Sequence, residues 1–289
     1  MSMLKKAAMD SFRLALIQMK VGTDKIRNVT NAIAHIRQAV VDQNPRVVAL
    51  PECFNSPYGT KYFNDYAETI PDGYTTGKLS EIAKELNIYL VGGTIPERDT
   101  SDGRTLYNTC TVWSPSGELI AKHRKMHLFD IDVKGGIRFK ESDVLTGGSE
   151  FTSFQIDNNF KIGVGICYDI RFEEMARIYR NDGCDMLIYP AAFNMTTGPL
   201  HWELLQRARA NDLQLYVASI SPARDPDFEY VAWGHSMVVD PWGKVVITAK
   251  ENEEIVYADI DVSLNEKVRA QIPTSRQRRT DLYETVSKK

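Results

Sequence analysis

Three residues that could together carry out acyl transfer each follow a β-rich run of the sequence. Glu52 follows Val-Val-Ala-Leu-Pro, Lys125 ends a predicted hairpin, and Cys167 follows Lys-Ile-Gly-Val-Gly-Ile. A thiol is only partly ionised at neutral pH, so a cysteine nucleophile needs a base, and Glu52 could take its proton. Attack on a carbonyl places negative charge on oxygen. The Lys125 ammonium, together with a backbone N–H after Cys167, could stabilise that charge.

Each of these residues has a plainer interpretation when it is taken alone. A cysteine after an apolar strand is often a small buried hydrophobe. Lys125 closes the basic run 122–125 and could belong to a solvated face. Glu52 is the least ordinary, because an acid between a buried strand and Cys-Phe must find a partner or shift its pKa. The three residues form a site only if the fold brings their strand ends together.

The elements that would position them form a regular series in the first half of the chain. Apolar residues recur at helical spacing from Ile26 to Val40 and from Leu79 to Leu86. Strands are predicted at 13–18, 46–50, 88–92, 107–113 and 118–123. The predicted order is therefore strand, helix, strand, helix, strand, hairpin.

The second half of the chain repeats this order. Strands are predicted at 161–166, 185–189 and 215–219, helices around Met175 and from about His201, and a final hairpin. The local sequence repeats too, since Val-Val-Ala-Leu-Pro-Glu-Cys-Phe-Asn at 47–55 resembles Leu-Ile-Tyr-Pro-Ala-Ala-Phe-Asn at 187–194. Two ordinary βα units that look alike would give the same pattern. Half-domains that each cover one sheet face with helices would instead pack their bare faces together. We predict an α/β fold of this kind, a four-layer α-β-β-α sandwich with two internally similar halves.

Composition favours one folded domain and excludes several partners. The 289 residues are 43% apolar and 25% charged, and no Pro/Gly/Ser-rich linker divides them, so we expect a single domain over 1–289 with its core at about 12–284. The net charge is −3, with lysines and arginines scattered among acids, which argues against nucleic acid as a partner. No apolar run has the length of a signal peptide or approaches the roughly 20 residues of a membrane span.

The four cysteines are too few and too widely spaced for a disulfide framework or a zinc site. We expect no metal and no other cofactor. A reducing compartment suits free thiols. We predict a cytoplasmic protein and leave a mitochondrial fraction open.

Three segments, in this order along the chain, resemble the catalytic blocks of the nitrilase superfamily of carbon-nitrogen hydrolases. They are Leu-Pro-Glu-Cys-Phe-Asn-Ser-Pro-Tyr-Gly (50–59), His-Arg-Lys-Met-His-Leu-Phe-Asp (123–130) and Gly-Ile-Cys-Tyr-Asp-Ile-Arg-Phe (165–172). The resemblance extends from about residue 12 to residue 284 and includes Tyr-Asn-Thr at 107–109. It implies that Cys167 is the nucleophile, Glu52 the general base and later acid, and Lys125 the stabiliser of the tetrahedral intermediate.

The same resemblance implies a fourth catalytic residue and an oxyanion contact. Glu141 matches a second glutamate that orients the lysine and the substrate amide, although in Phe-Lys-Glu-Ser it could also be a surface acid. The backbone N–H of Tyr168, directly after the cysteine, would complete the oxyanion site.

In detail the blocks resemble the omega-amidase branch, which hydrolyses the terminal amide of α-ketoglutaramate and α-ketosuccinamate. Arg171 matches the position that holds the substrate carboxylate, for which a guanidinium offers paired donors. It could instead form a salt bridge with Asp169 or Glu173. Pocket-lining positions of that branch are matched by Tyr58, Phe193 and Thr197, each of which could equally serve packing or loop structure.

Other functions remain to be compared with this one. A related amidase, such as one acting on deaminated glutathione, would use the same four catalytic residues. A true nitrilase usually has Trp-Glu after the cysteine, where this chain has Tyr168-Asp169. An interaction protein could keep the sandwich as a catalytically idle scaffold. The resemblance also implies a homodimer that pairs through helices matching 173–182 and 201–213.

Overall fold

The computed structural model describes residues 11–157 and 160–288. Residues 1–10 lie outside these ranges. They make up most of the segment for which the sequence predicts no signal peptide. Six strands form the first sheet: β1 Ser11–Gln18, β2 Val47–Ala49, β3 Tyr89–Arg98, β4 Leu106–Trp113, β5 Leu119–Arg124 and β14 Glu254–Asp261. Their order across the sheet is β14-β1-β2-β3-β4-β5.

The second sheet has the same size and plan. It contains β8 Thr152–Gln155, β9 Lys161–Val164, β10 Met186–Pro190, β11 Tyr216–Ile220, β12 Met237–Val239 and β13 Val245–Thr248. Their order is β13-β12-β11-β10-β9-β8. In each sheet three consecutive strands run parallel, β1 to β3 and β9 to β11, and are followed by an antiparallel pair. The predicted similarity of the two halves is thus present in the strand topology.

Helices cover the outer face of each sheet. Against the first sheet lie α1 Lys25–Gln43 and α3 Tyr74–Leu86, and against the second lie α4 Glu173–Asn181 and α5 Gly198–Leu213. Alternate residues of the buried strands point to opposite faces. In β1, Ala15 and Ile17 pack with the side chains of α1 and α3, whereas Leu14 and Leu16 join a core shared with the second sheet. This arrangement is the predicted four-layer α-β-β-α sandwich.

Several elements were not predicted from the sequence. β14 pairs antiparallel with β1 over its whole length, so the end of the chain completes the first sheet. Shorter additions are α2 Thr60–Tyr66, the hairpin of β6 Asp130–Asp132 with β7 Arg138–Lys140, and α6 Leu264–Gln271. Of these, α2 and the β6–β7 hairpin flank the site described below. No helix within 11–157 and 160–288 is both long and apolar enough to cross a lipid bilayer.

Candidate active site

The ends of three strands deliver the predicted catalytic side chains to one edge of the sandwich. Glu52 lies in the loop after β2, Lys125 directly follows β5, and Cys167 begins a short 3-10 turn after β9. β5 runs in the direction of β3, because two antiparallel pairings separate them. The carboxyl ends of β2 and β5 therefore share an edge of the first sheet, where ligands of α/β sheets commonly bind. The loop after β10 of the second sheet meets this edge, because its Ala192 N–H binds Glu52.

Glu52 is held by three donors from different parts of the chain. Its Oε1 accepts hydrogen bonds from Asn108 Nδ2 at 2.8 Å and from Lys125 Nζ at 3.0 Å. Its Oε2 accepts the backbone N–H of Ala192, in the loop after β10, at 2.7 Å. Groups of the first sheet thus hold Oε1, and a group of the second sheet holds Oε2.

Lys125 bridges the two predicted catalytic glutamates. Its Nζ lies 3.0 Å from Glu52 Oε1 and 3.0 Å from Glu141 Oε1, and all three side chains are 0% exposed. Glu141 also accepts the Tyr58 hydroxyl at 2.7 Å and the Phe129 backbone N–H at 2.7 Å. The interpretations of Lys125 as part of a solvated face and of Glu141 as a surface acid are therefore wrong.

The electrostatics of this cluster set the resting protonation states. Burial raises the pKa of Glu52, Lys125 lowers it, and Glu141 raises it further. Burial alone would lower the pKa of Lys125, but the two carboxylates hold it well above its usual range. Burial and the nearby Glu52 raise the pKa of the Cys167 thiol well above its usual range. At rest the Cys167 thiol is therefore neutral and the Lys125 ammonium is charged.

The nucleophile candidate lies on a sharply turned backbone. Cys167 has φ of +46°, in the left-handed region that costs a residue with a Cβ of the order of 1 kcal/mol. Gly165 approaches the Tyr189 ring so closely that any side chain there would collide with it. The turn is closed by Asp169, whose Oδ2 accepts the Ile166 N–H at 2.9 Å. Such a turn presents the thiol at the end of a buried strand, as nucleophile turns in other hydrolases do.

The predicted substrate-contacting residues fall into two groups. Tyr58 lies beside the catalytic cluster, because its hydroxyl binds Glu141 and its ring stacks on Phe139 with centroids 5.5 Å apart. Thr197 instead belongs to the start of α5, where its backbone N–H and that of Thr196 donate to Asn194 Oδ1. Its hydroxyl lies 3.4 Å from the same oxygen, so the structure gives Thr197 a local contact.

Arg171 lies between two aromatic rings. Its guanidinium carbon is 5.6 Å from the centroid of Tyr168 and 5.2 Å from that of Phe193, and Nη1 lies 3.3 Å from His201 Nδ1. Within the described residues it forms no ion pair. The alternative salt bridge is not formed, since Asp169 binds histidines and Glu173 binds Arg177. Arg171 is therefore a charge without a carboxylate partner in the described part of the protein.

A cleft leads from the surface to Glu52. It runs between the loop that contains Glu52 and the segment 222–232, and it is lined by Cys53, Tyr58, Phe228, Tyr230 and Ala232 among others. The Tyr230 hydroxyl donates a hydrogen bond to the Ala192 carbonyl, and the Ala192 N–H donates one to Glu52. Of the four predicted catalytic residues, Glu52 is the one that lines this cleft.

Four contributors were not assigned a role from the sequence. Asn108 lies in the Tyr-Asn-Thr segment, where only the resemblance gave a signal. The other three contributors are the Ala192 N–H, Tyr230 and Asp169. Their contacts depend on long-range packing, and the type of a single residue gives no signal of such contacts. Within the described ranges, no three His, Cys, Asp or Glu side chains are grouped as metal ligands would be.

Comparisons with known proteins agree with this geometry. The family model described as carbon-nitrogen hydrolase matches residues 13–270. The protein named omega-amidase NIT2 is 57% identical over 282 residues in both mouse and human, covering 97% of this chain and 100% of each relative. The crystal structure of Saccharomyces cerevisiae Nit3, a member of branch 10 of the nitrilase superfamily, gives a TM-score of 0.86 at 42% identity, covering 95% of this chain and 99% of that one. This chain therefore belongs to the carbon-nitrogen hydrolase family of the nitrilase superfamily.

Proposed function

We propose that the protein is an omega-amidase that releases ammonia from the terminal amide of dicarboxylate monoamides such as α-ketoglutaramate and α-ketosuccinamate. The observation that carries this proposal is the buried cluster of Glu52, Lys125 and Glu141 at the edge of the sandwich where β9 also presents Cys167. Its full-length relatives with the name omega-amidase support the substrate class.

In the first half of the proposed reaction, Glu52 takes the thiol proton as Cys167 attacks the amide carbon. A preformed thiolate is unfavourable because the pKa of Cys167 is raised, so proton transfer must accompany attack. The oxyanion is stabilised by the Lys125 ammonium and the Tyr168 N–H. Glu52 then returns the proton to the amide nitrogen, the C–N bond breaks, and ammonia leaves a thioester on Cys167.

In the second half, Glu52 removes a proton from water as the water oxygen attacks the thioester carbon. The intermediate collapses by breaking the C–S bond, and Glu52 returns the proton to the sulfur. Glu141 holds Lys125 in place during both steps through the 3.0 Å contact, and Tyr58 holds Glu141. The products are the dicarboxylate and ammonia, and the chain's own residues supply every proton transfer.

Arg171 is the proposed partner of the substrate's distal carboxylate. A guanidinium between Tyr168 and Phe193, with no acidic partner in the described residues, offers an anion a site without first breaking an ion pair. His201 adds no second positive charge beside Arg171 near pH 7, because burial and Arg171 lower the pKa of its imidazole. Phe193 contributes the ring beneath the guanidinium.

The test is ammonia release by purified protein from a panel of small ω-amides, with deaminated glutathione alongside. The proposal expects the highest kcat/KM for α-ketoglutaramate or α-ketosuccinamate. A higher kcat/KM for deaminated glutathione would assign the protein to the related amidase. No turnover of any amide would favour the idle scaffold.

We also propose a homodimer that uses the outer face of α5. Leu200 and Leu204 on this helix are 67% and 62% exposed, and Trp242 beside them is 44% exposed. Trp202, by contrast, points into the core. Exposed apolar side chains grouped in this way favour a protein partner. Sedimentation at micromolar concentration should give the dimer mass, and a monomer mass would contradict the proposal.

A cytoplasmic location, with a mitochondrial fraction left open, completes the proposal. All four cysteines are free and buried. Free thiols suit a reducing compartment. Fractionation of cells that express the tagged chain would test the location.

A further inference from the structure

Asp169 is a buried carboxylate that the proposed reaction does not use, and it joins two parts of the active site. Its Oδ1 accepts the backbone N–H of His127 at 2.9 Å and lies 2.8 Å from His127 Nδ1. Its Oδ2 accepts the Ile166 N–H at 2.9 Å and lies 3.4 Å from His123 Nε2. The side chain is 0% exposed, so these donors replace all of its hydration.

The groups that donate to Asp169 lie close to Cys167 and Lys125 along the chain. Ile166 directly precedes Cys167, and the two histidines lie two residues before and two residues after Lys125. One carboxylate therefore connects the turn of the second sheet that bears the thiol with the segment of the first sheet that bears the ammonium. Among the described residues, it touches neither Lys125 nor Cys167 by a hydrogen bond.

The network is held firmly on both sides. Burial alone would raise the pKa of Asp169, but hydrogen bonds from His123 and His127 hold it well below its usual range, so it stays ionised. The His127 ring stacks on Phe172, with centroids 3.6 Å apart and planes 10° apart. His123 Nδ1 lies 3.2 Å from Thr152 Oγ1 on β8. Neither imidazole can turn away from the carboxylate without losing a second contact.

We propose that Asp169 is a positioning residue that sets the separation between the Cys167 thiol and the Lys125 ammonium. This inference rests on the proposed function of those two groups. Asp169 closes the left-handed turn at Cys167 from one side and fixes the residues around Lys125 from the other. Loss of its charge would let the two sheet edges shift, and a misplacement of about 1 Å near reacting groups can cost on the order of a hundredfold in rate.

The main test compares Asp169→Asn with a matched control, Glu97→Gln. Glu97 is also a buried carboxylate bound to β5, through Arg124 at 2.7 Å and Lys122 at 3.0 Å, but it makes no link to the Cys167 turn. Asp169→Asn should lower kcat on the order of a hundredfold while KM changes little. Glu97→Gln should lower the melting temperature and leave kcat per folded molecule near that of the unaltered protein.

A second pair of variants keeps the test independent of Asp169 itself. In His127→Asn an amide nitrogen can occupy the place of Nδ1 and still donate to Asp169, whereas His127→Ala leaves no donor. The account expects His127→Asn to recover much of the kcat that His127→Ala loses. Equal kcat in these two variants would contradict the positioning role, even if Asp169→Asn failed to fold.

Acylation by p-nitrophenyl acetate separates this inference from the proposed function. The thiol attacks the ester carbonyl and expels p-nitrophenolate, so the burst reports the thiol, base and ammonium without an amide substrate. A burst that is normal in the unaltered protein and slow in Asp169→Asn supports the positioning role, even if no ω-amide is hydrolysed. Equal bursts or equal kcat for Asp169→Asn and Glu97→Gln, after correction for folded fraction, would overturn it.

Discussion

The loops after β2 and β10 occupy matching places in the two halves, yet they carry different groups. Both follow the middle strand of a parallel trio, and their sequences are Pro-Glu-Cys-Phe-Asn at 51–55 and Pro-Ala-Ala-Phe-Asn at 190–194. The first loop carries the carboxylate of Glu52. The second has Ala191 at the matching position and offers the Ala192 N–H to that carboxylate. The halves meet where their equivalent loops touch.

A fold with two similar halves can therefore contain one site rather than two. The first half and its following segment contribute the three charges of the buried cluster, Glu52, Lys125 and Glu141, while the second half contributes Cys167 and the backbone N–H that binds Glu52. Buried charges need partners close by, and in this cluster the Lys125 ammonium lies within 3.0 Å of both carboxylates. The thiol, neutral at rest, can come from the other half without that requirement. A complete site then exists only when the two sheets pack together.

The largest effect is expected when the second half loses its one reactive group. Cys167→Ala should abolish hydrolysis and leave the fold intact, because it removes the sulfur without a large cavity. The matched control is Cys184→Ala, another buried cysteine of the same half that lies in the hydrophobic core. Steady-state ammonia release should vanish in the first variant and persist in the second. Comparable activity in both variants would contradict the proposal that the second half supplies the nucleophile.

Removing the base from the first half should have the next largest effect. Glu52→Gln keeps the shape and one acceptor but cannot take the thiol proton, so kcat should fall on the order of a thousandfold. Rapid-quench measurement of the first turnover should show the loss in acylation. Unchanged acylation with slow release of product would confine the role of Glu52 to the second step.

Arg171→Met should affect only substrates that carry the distal carboxylate. For α-ketoglutaramate the loss in kcat/KM should be on the order of a hundredfold, because a buried carboxylate is left unpaired. A neutral short-chain amide should already be a poor substrate and lose little more. The two substrates and two proteins form a double-mutant cycle. Equal proportional losses on both amides would reject Arg171 as the carboxylate partner.

The smallest expected effect is a shift in the pH profile. Glu52 must be ionised to act as a base, and its pKa is raised above the ordinary 4.5 by burial and then by Glu141. The kcat/KM should therefore be full above this raised pKa and be lost as the pH falls through it. Glu141→Gln removes the repulsion, so the acid limb should move to lower pH. A limb that stays in place or moves to higher pH would contradict the charge coupling within the first half.

Most strands and helices of the two halves were predicted from the sequence, and those that were missed have physical explanations. Apolar runs identified the parallel strands of both halves, because both faces of these strands are buried, and helical spacing identified α1, α3, α4 and α5. The sequence did not reveal that β14 pairs with β1, since Ser11 and Asp261 are distant along the chain. It also left Glu141 ambiguous. The flanking Lys140 and Ser142 are exposed, and only the three-dimensional contact with Lys125 shows why the residue between them is buried.

The sequence predicted that Glu52, Lys125 and Cys167 lie together, but not the groups that hold them, and their catalytic roles stay predictions. Glu52, Lys125 and Cys167 could be chosen because each ends a strand and the block resemblance fixed their order. Backbone donors such as the Ala192 N–H leave no trace in residue identity, and the contact of Thr197 with Asn194 was not predicted either. Local patterns report the elements, whereas the partners of a buried charge are decided by tertiary packing.

The most direct test of the account is to trap the acyl-enzyme. The protein is mixed with α-ketoglutaramate, quenched in acid within the first turnover, digested and mapped by mass spectrometry. The account predicts a thioester adduct on the peptide containing Cys167, absent in Cys167→Ala and slow to form in Glu52→Gln. Cys53, next to Glu52 in the first-half loop, should remain unmodified. An adduct on Cys53, or turnover with no covalent adduct on Cys167, would contradict the claim that the second half supplies the nucleophile and the first half its charges.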